Sequence, residues 1–220
     1  MAGRQLANKW LKTEALLRNA DVAVHVPQTR LYSAEALKSI LHQFGMAVIK
    51  PIRGGGGYGV IKVVYAGGRY GFTYMSHSRS FGSFGAMFRA LNQSKVRRKY
   101  IIQQGIHLAR IGGRPIDYRV KVAKHNGKWG YRSMVGRLAR PGLFVTNLSR
   151  GGTQLTASQG LGRSLGKGAI VKKRAEMRAL TNKCIGIMES AFPGVGELGF
   201  DYGLDKSGKI WIFEVNTRPQ

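Results

Sequence analysis

The chain has 220 residues, enough to bury a hydrophobic core as one domain or as two small lobes that share a cleft. Hydrophobic residues make up 43% of the chain. The sequence contains neither the apolar core of a signal peptide nor a run of roughly 20 apolar residues, so neither secretion nor a membrane span is expected. The 36 Lys and Arg against 10 Asp and Glu give a net charge of +26, which favours non-specific polyanion binding; a basic soluble surface without a dedicated partner is the alternative.

Apolar periodicity and turn residues predict the elements of the first half of the chain. Helices are predicted at residues 6–18, 33–44 and 81–91, and strands at residues 46–50, 60–65 and 69–74. The first helix should carry its large apolar residues, Leu6, Trp10, Leu11 and Leu17, on or near one face, and residues 19–32 should be extended. Ser33 has the spacing of a helix N-cap and Gly45 that of a C-terminal stop.

The second half reads as further antiparallel strands followed by a helix and a hairpin. Strands are predicted at 100–106, 116–125 and 128–138, a helix at 171–192 and a hairpin at 198–215. Residues 160–168 are rich in glycine and are expected to form a mobile segment. Cys184 is the single cysteine and fits a buried helix position, so a reducing cytoplasm is the expected compartment.

A glycine-rich loop, GGGGYG, lies between the predicted strands 46–50 and 60–65. No Gly-Lys-Ser or Gly-Lys-Thr follows it, so it is not a Walker loop. Glycines between two strands allow the backbone to fold over a phosphate, and Lys50 would project toward the same anion. A flexible hairpin turn with a surface lysine is the alternative.

The C-terminal hairpin predicts a cation site. If residues 206–209 form its loop, Asp201 lies opposite Glu214, and Asn216 shares their face two residues further on. The opposite face is then expected to carry Phe200, Phe213 and Val215. Two carboxylates and an amide oxygen suit magnesium bound together with substrate phosphates. A solvated hairpin with stray polar residues is the alternative.

Two further groups of polar residues are weaker indications. Gln103 and Gln104 end an apolar strand, as expected where an edge backbone meets an adenine ring. Arg137, Asn147 and Arg150 lie in and after the strand at 128–138, where arginine suits a phosphate or carboxylate. In a chain with 36 basic residues, two arginines in this region are also expected by chance.

These motifs, in this order, resemble the ATP-grasp superfamily over nearly the whole chain. NKW near the start, KPIRGGGGYGV, PIDYRV and the ending GFDYGLDKSGKIWIFEVNTRP are most similar to the spore-coat-associated YheC/YheD family. GRLARPGLFVTNLSRGG is similar to a segment of ribosomal-protein glutamate ligases, and the Asp to Glu-X-Asn spacing also occurs in D-alanine D-alanine ligases.

The resemblance implies an α+β ATP-grasp fold in which two α/β lobes with antiparallel sheets clamp ATP. The glycine-loop lobe would comprise residues 20–105, and the metal-binding lobe residues 106–220 together with the N-terminal helix. Family members commonly carry a separate domain before the first lysine segment, and only eight residues precede Lys9 here. A form without that N-terminal domain is therefore expected, with a second copy or a partner protein as ways to complete the acceptor site.

The resemblance also implies a role for each group of candidate residues. Nucleotide binding is implied for Lys9 and Lys50 at the phosphates, Gly54, Gly55, Gly56, Gly57 and Tyr58 in the covering loop, Gln103, Gln104 and Ile106 at the adenine, and Asp117 and Arg119 in the motif PIDYRV. One or two magnesium ions are implied at Asp201, Glu214 and Asn216. Catalysis is implied for Arg137, which would stabilise the transferred phosphoryl group, and for Asn147 and Arg150 near the acceptor.

The implied activity is an ATP- and magnesium-dependent carboxylate-amine ligase that acts through an acylphosphate, with a peptide or protein end among its candidate substrates. Val145 stands where the glutamate ligases have arginine, which argues against glutamate itself as the substrate. The alternatives are a phosphotransferase on the same fold and a non-catalytic, nucleotide-responsive or polyanion-binding spore protein. Spore association is the alternative to a purely cytoplasmic location.

Overall fold

The computed structural model describes residues 5–219, which form two antiparallel sheets with helices packed against them. The first sheet has the strand order β1-β6-β2-β3-β4-β5. Its strands are β1 (Thr29–Leu31), β2 (Met46–Pro51), β3 (Ile61–Ala66), β4 (Arg69–Tyr74), β5 (His77–Phe81) and β6 (Tyr100–Gln104). Two helices, α3 (Ala34–Phe44) and α4 (Phe84–Ser94), pack against this sheet.

The second sheet has the order β10-β9-β8-β11-β12, with the short strand β7 paired to β8. Its strands are β7 (Arg110–Ile111), β8 (Arg114–His125), β9 (Lys128–Leu138), β10 (Thr153–Thr156), β11 (Glu197–Leu204) and β12 (Ile210–Asn216). The remaining helices are α1 (Lys9–Leu17), α2 (Ala20–Ala23), α5 (Ala157–Leu165) and α6 (Ile170–Ala191), with single 3-10 turns at Leu148–Arg150 and Lys167–Ala169. The predicted α+β class with antiparallel sheets is confirmed.

The predicted signals at the ends of α3 are confirmed. The Ser33 hydroxyl accepts a hydrogen bond from the backbone N–H of Ala36 at 3.1 Å. Gly45 ends the helix in the left-handed region at φ 71°, where a residue without Cβ is favoured. The helix buries Leu37, Ile40 and Leu41 against the first sheet.

Two local predictions are wrong, and one strand was missed. Residues 160–168 are mostly helical rather than mobile, because Thr156 and Gln159 form a capping box that starts α5. Residues 19–32 are not wholly extended, because Asn19 caps the short helix α2. Strand β5 was not predicted, since its burial pattern is almost wholly exposed and gives no apolar signal.

Helix α1 also buries a different face from the predicted one. Leu11 and Leu17 are exposed, at 40% and 38%. The buried residues instead include Lys9, Lys12 and Leu16, which recur with spacings of three and four residues. A ranking by hydrophobicity alone therefore selected the wrong side of a helix whose inner face carries two lysines.

Each sheet has its own hydrophobic cluster, and a cleft separates the two. The first cluster packs α3 and α4 onto the first sheet. The second joins α1, α2, α5 and α6 to the second sheet and includes Val22 and Val26. The division of the chain at residues 20 and 106 stays a prediction.

Cys184 is buried in α6, as predicted, and burial raises the pKa of its thiol to about 12. Among residues 5–219, no helix combines the length and apolarity of a bilayer span.

The close approach of α5 to the second sheet yields a stability prediction. A Cβ at Gly160 would lie 2.9 Å from Cδ1 of Ile116 and 3.0 Å from Cε1 of Tyr118, both core side chains. We expect Gly160→Ala to lower the free energy of unfolding by about 1–3 kcal/mol through overpacking. Gly186→Ala on α6 is the matched control, because no atom lies within 4 Å of its Cβ position. Helix propensity should make that control about 1 kcal/mol more stable. Urea denaturation of both variants measures the contrast, and equal stabilities would contradict it.

Candidate functional site

The cleft between the two sheets has a volume of about 400 Å³ and is lined by residues from both. Every residue that the sequence singled out as a site residue lines it, except Arg150, whose guanidinium lies at its edge against the glycine loop. The walls near Met46, Val48, Ile106, Leu108 and Phe213 are apolar. The sequence motifs are therefore brought together in space, although their individual roles stay predictions.

The glycine loop between β2 and β3 is held by contacts from the rest of the protein. Lys9 Nζ donates a hydrogen bond to the carbonyl of Gly54 at 2.5 Å, and Arg150 Nε donates to the carbonyl of Gly56 at 3.1 Å. Gly57 has a φ of 72°, and a Cβ there would lie 2.7 Å from Oδ1 of Asn147. Both the backbone angle and this close approach require glycine. The loop is thus folded against the segment that contains Asn147.

The exposed ring of Tyr58 lies within cation-π distance of two arginines. The guanidinium of Arg98 lies 5.8 Å from the ring centroid and that of Arg150 lies 6.0 Å from it. Arg98 also donates a hydrogen bond to the carbonyl of Arg53 at 3.1 Å. These cation-π contacts connect the glycine loop to the segment before β6, which carries Arg98, and to the loop after β9, which carries Arg150.

The hairpin of β11 and β12 places Asp201 opposite Glu214, as predicted, and pairs Gly199 with Asn216. The predicted register does not continue to the turn, because Tyr202 pairs with Ile212. Phe213 is therefore an extra residue, a β-bulge, in β12.

The bulge corrects one prediction about the faces of the hairpin. Phe200 and Val215 lie in the hydrophobic core, as expected, whereas Phe213 lines the cleft. Its ring centroid lies 5.3 Å from Nζ of Lys50, within cation-π distance. The regular alternation assumed from sequence fails here because a bulge puts two successive side chains on similar sides.

Two arginines and two aspartates form a buried network on the cleft face of the second sheet. Arg137 makes a two-pronged contact with Asp117, at 2.8 and 2.5 Å, and Arg119 makes one with Asp201, with both distances 2.7 Å. Arg137 also lies 3.2 Å from Asp201. Burial alone would raise the pKa of Asp201, but Arg137 and Arg119 hold it below its ordinary value. Asp201 is therefore held in its ionised form by the two arginines.

Lys9 and Lys50 reach the cleft from opposite sides. Lys9 Nζ lies 2.9 Å from Oε1 of Glu214, so this one ammonium contacts both the glycine loop and the hairpin. Lys50 Nζ donates to Oε1 of Gln103 at 2.6 Å. Burial lowers the pKa of Lys50 to about 8, and Glu214 opposes that shift. A bound anion beside Lys50 would raise this pKa again.

Lys12 is a buried cation that the sequence reasoning did not select. It is 3% exposed and lies one helical turn after Lys9 on the inner face of α1. No carboxylate oxygen lies within 4 Å of its ammonium among the described residues. Burial lowers its pKa to about 8, against a smaller opposing effect of Glu214. The spacing of Lys9, Lys12 and Leu16 is the signal that identifies this face.

The donors on the hairpin fit a hard cation such as magnesium. Asp201, Glu214 and Asn216 supply two carboxylates and an amide to the same cleft. Oδ2 of Asp201 accepts one hydrogen bond from Arg119 and has a second lone pair, whereas Oδ1 is contacted by both Arg119 and Arg137. Among residues 5–219, no cluster of three or more His, Cys, Asp or Glu is arranged to bind a metal without further ligands. The set therefore suits an ion that takes its remaining ligands from a substrate and water.

The burial of Lys12 predicts an unusual pH dependence of stability. Below pH 8 the folded state holds a buried ammonium, and between about pH 8 and the ordinary value of 10.5 the unfolded chain binds the extra proton. The destabilising contribution of Lys12 is thus present at neutral pH and is relieved as the pH rises through that window. We expect Lys12→Met to raise the unfolding free energy at neutral pH by on the order of 3 kcal/mol.

Urea denaturation at several pH values measures this effect. The advantage of Lys12→Met over the unsubstituted chain should shrink steadily as the pH approaches 10.5. Lys38→Met, at an exposed position of α3, is the matched control and should change stability little at any pH. A stability difference that does not vary with pH would contradict the assignment.

Comparison with solved structures shows the fold. The chain superposes on N5-carboxyaminoimidazole synthetase from Staphylococcus aureus, complexed with ADP, with a TM-score of 0.60 and 13% identity, over 98% of this chain and 46% of that one. Carboxyaminoimidazole ribonucleotide synthase from Aspergillus clavatus, complexed with ATP, gives a TM-score of 0.59 at 16% identity over 99% and 46%. At these identities the likeness shows the ATP-grasp fold.

Sequence comparison then gives the family. The chain belongs to the YheC/D-like ATP-grasp family, whose model matches residues 1–220. It is 28% identical to the endospore coat-associated protein YheD of Bacillus subtilis over 219 residues, which are 96% of this chain and 48% of that protein. It is 25% identical to YheC of the same organism over 99% of this chain and 61% of that protein. The chain thus spans less than two thirds of either relative.

Proposed function

We propose that the chain binds ATP with magnesium in its cleft and catalyses the ligation of a carboxylate to an amine. The observation that carries this proposal is the double contact of Lys9, which joins the glycine loop to Glu214 on the hairpin. Lys9 thereby holds two elements on either side of the cleft. One is a loop that can cover phosphates, and the other is a hairpin that can hold their counter-ion.

The nucleotide would lie with its phosphates under the glycine loop and its adenine against the apolar end of the cleft. Lys9 contacts the loop directly, and Lys50 lies near the end of β2, just before the loop, without a carboxylate within 4 Å among the described residues. Ile106 and the neighbouring Gln104 line the apolar end at the close of β6. Both ADP and ATP are named in the complexes of the similar solved structures, which supports a nucleotide in this cleft.

Asp201, Glu214 and Asn216 would hold one or two magnesium ions. When bound, magnesium supplies neutralising charge to the phosphates. The protein contributes the fixed orientation of Asp201, through Arg119 and Arg137, and of Glu214, through Lys9. Arg137 is committed to both aspartates in this structure, so its proposed part is to position Asp201 as well as to place positive charge beside the reacting phosphoryl group.

The proposed chemistry has two balanced steps. A substrate carboxylate oxygen forms a bond to the γ-phosphorus as the bond to ADP breaks, which gives an acylphosphate. An amine nitrogen then bonds to the acyl carbon, inorganic phosphate leaves, and the amine loses a proton. Asn147 and Arg150, beside the glycine loop, are the residues proposed to face the acceptor. The protein acts by positioning and by neutralising charge, without a covalent nucleophile of its own.

A phosphotransferase on the same fold is the second candidate, since it would use the same nucleotide and metal residues and stop after phosphoryl transfer. A non-catalytic, nucleotide-responsive spore protein is the third, and the net charge of +26 favours it. Both relatives are named as endospore coat-associated, which supports a spore-associated location for any of the three. The presence of all three hairpin donors in one cleft favours the catalytic candidates.

The substitution Glu214→Gln tests the magnesium assignment. It keeps the size of the side chain and removes the charge, so magnesium-dependent ATP turnover should fall by at least about 100-fold while the fold is retained. Turnover and the magnesium dependence of ADP binding are the two measurements. Glu197→Gln, at the exposed start of β11, is the matched control and should leave both unchanged. Full turnover in Glu214→Gln would refute the assignment.

Hydroxylamine distinguishes the ligase from the alternatives. As a strong nucleophile it should capture the acylphosphate, so ATP, magnesium, hydroxylamine and a mixture of amino acids, acidic peptides and host-cell extract should yield a hydroxamate. Mass spectrometry identifies that product and, with it, the carboxylate substrate. A phosphorylated product without any hydroxamate would instead establish the phosphotransferase. Nucleotide binding without turnover would establish the non-catalytic candidate.

A further inference from the structure

The cleft carries more positive charge than its own carboxylates can neutralise. Seven lysine and arginine side chains line it against three carboxylates. Each carboxylate already has a cationic partner: Glu214 has Lys9 at 2.9 Å, Asp117 has Arg137 at 2.5 Å, and Asp201 has Arg119 at 2.7 Å. The cations of the cleft that lack a carboxylate within 4 Å, among the described residues, are Lys50, Lys62, Arg110 and Lys206.

A nucleotide does not account for this excess. ATP with one magnesium ion carries about two negative charges, and a second ion neutralises those as well. Lys50 adjoins the glycine loop and is the cation that the proposed phosphates would use. Lys62 and Arg110 come from β3 and β7, so two different sheets supply two further positive charges to one cleft.

Lys62 is half-buried and Arg110 is exposed at the rim of the cleft, and the two like charges repel one another. Burial lowers the pKa of Lys62, and Arg110 lowers it further. Lys62 Nζ lies 5.7 Å from the ring centroid of Phe144, which comes from the loop after β9. Arg110 donates a hydrogen bond to the carbonyl of Gly113, which orients its guanidinium but leaves its charge in place. The two cations line the same cleft without a carboxylate partner among the described residues, and an anion bound near both would relieve their repulsion.

We propose that Lys62 and Arg110 form a second anion subsite, which binds an acidic co-substrate that carries at least two carboxylates, such as a peptide with consecutive acidic residues. This inference rests on the proposed ligase function, which requires one carboxylate at the reacting phosphate and leaves the others to be bound elsewhere. Arginine binds a carboxylate with two parallel hydrogen bonds, and lysine adds a point charge. The net charge of +26 would attract such a substrate from solution.

Carboxylates fit this subsite better than a nucleic acid does. The two cations lie within an interlobe cleft of about 400 Å³, bordered by Pro115, Phe144 and Val145. A space of this size admits a side chain or a short extended peptide, whereas a duplex presents its phosphates over a broad outer surface. The exposed basic residues elsewhere on the chain are the surface on which a nucleic acid would be held.

The test measures binding of a fluorescein-labelled tetraglutamate peptide in the presence of saturating ADP and magnesium, at two salt concentrations. Lys62→Met/Arg110→Gln should weaken peptide binding at least tenfold and leave ADP affinity within about twofold. Lys99→Met/Arg132→Gln removes the same charges from exposed positions and is the matched control, which should retain peptide affinity. A tetraglutamine peptide should not bind.

The outcomes separate this inference from the proposed function. If the unsubstituted chain binds ADP but not tetraglutamate, or prefers a phosphoserine peptide or an RNA oligonucleotide, the carboxylate subsite is wrong and the nucleotide site stands. Equal loss of ADP affinity in Lys62→Met/Arg110→Gln would assign the two residues to the nucleotide. Equal loss of peptide affinity in the control variant would assign the binding to the general positive field. Failure of the unsubstituted chain to bind ADP would overturn the proposed function itself.

Discussion

The ion-pair network on the second sheet is the constraint on which the rest of the site depends. Arg137 joins β9 to β8 through Asp117 and to β11 through Asp201, and Arg119 completes the second pair. The two arginines and the two aspartates are matched in number and largely buried, so removal of any one would leave a partner without its counter-charge. The network therefore fixes Asp201 at the edge of the cleft, next to the strand that carries Glu214.

Lys9 connects this fixed face to the glycine loop. The backbone N–H of Lys9 donates to Ile52 at 3.0 Å, and its ammonium contacts Gly54 and Glu214. Helix α1 packs mainly on the second sheet, so one residue couples the loop of the first sheet to the hairpin of the second. Arg150 and Asn147 contact the same loop from the other side, which explains why the cleft is bordered by chain segments distant in sequence.

The sequence predicted the features that depend on local chemistry. The cap and stop of α3, most strands and the pairing of Asp201 with Glu214 follow from spacing and turn residues, and the structure confirms them. The inner face of α1 was not predicted, because Lys12 is buried only through tertiary packing. Helix α5 was missed because its glycines suggest flexibility, whereas Gly160 serves close packing on Tyr118. The partners of Arg137 also depend on strand pairing between distant segments, which apolar periodicity does not specify.

The bulge at Phe213 has a consequence for how this cleft can diversify. The ladder is regular on both sides of the extra residue, with Asp201 opposite Glu214 and Tyr202 opposite Ile212. Phe213 therefore has no pairing partner on β11. Its side chain lies outside the regular alternation between the core face and the face that carries Asp201 and Glu214. Its aromatic ring faces Lys50 and the apolar wall of the cleft. Selection can accordingly alter the shape of that wall at one position while the paired acidic residues keep their places.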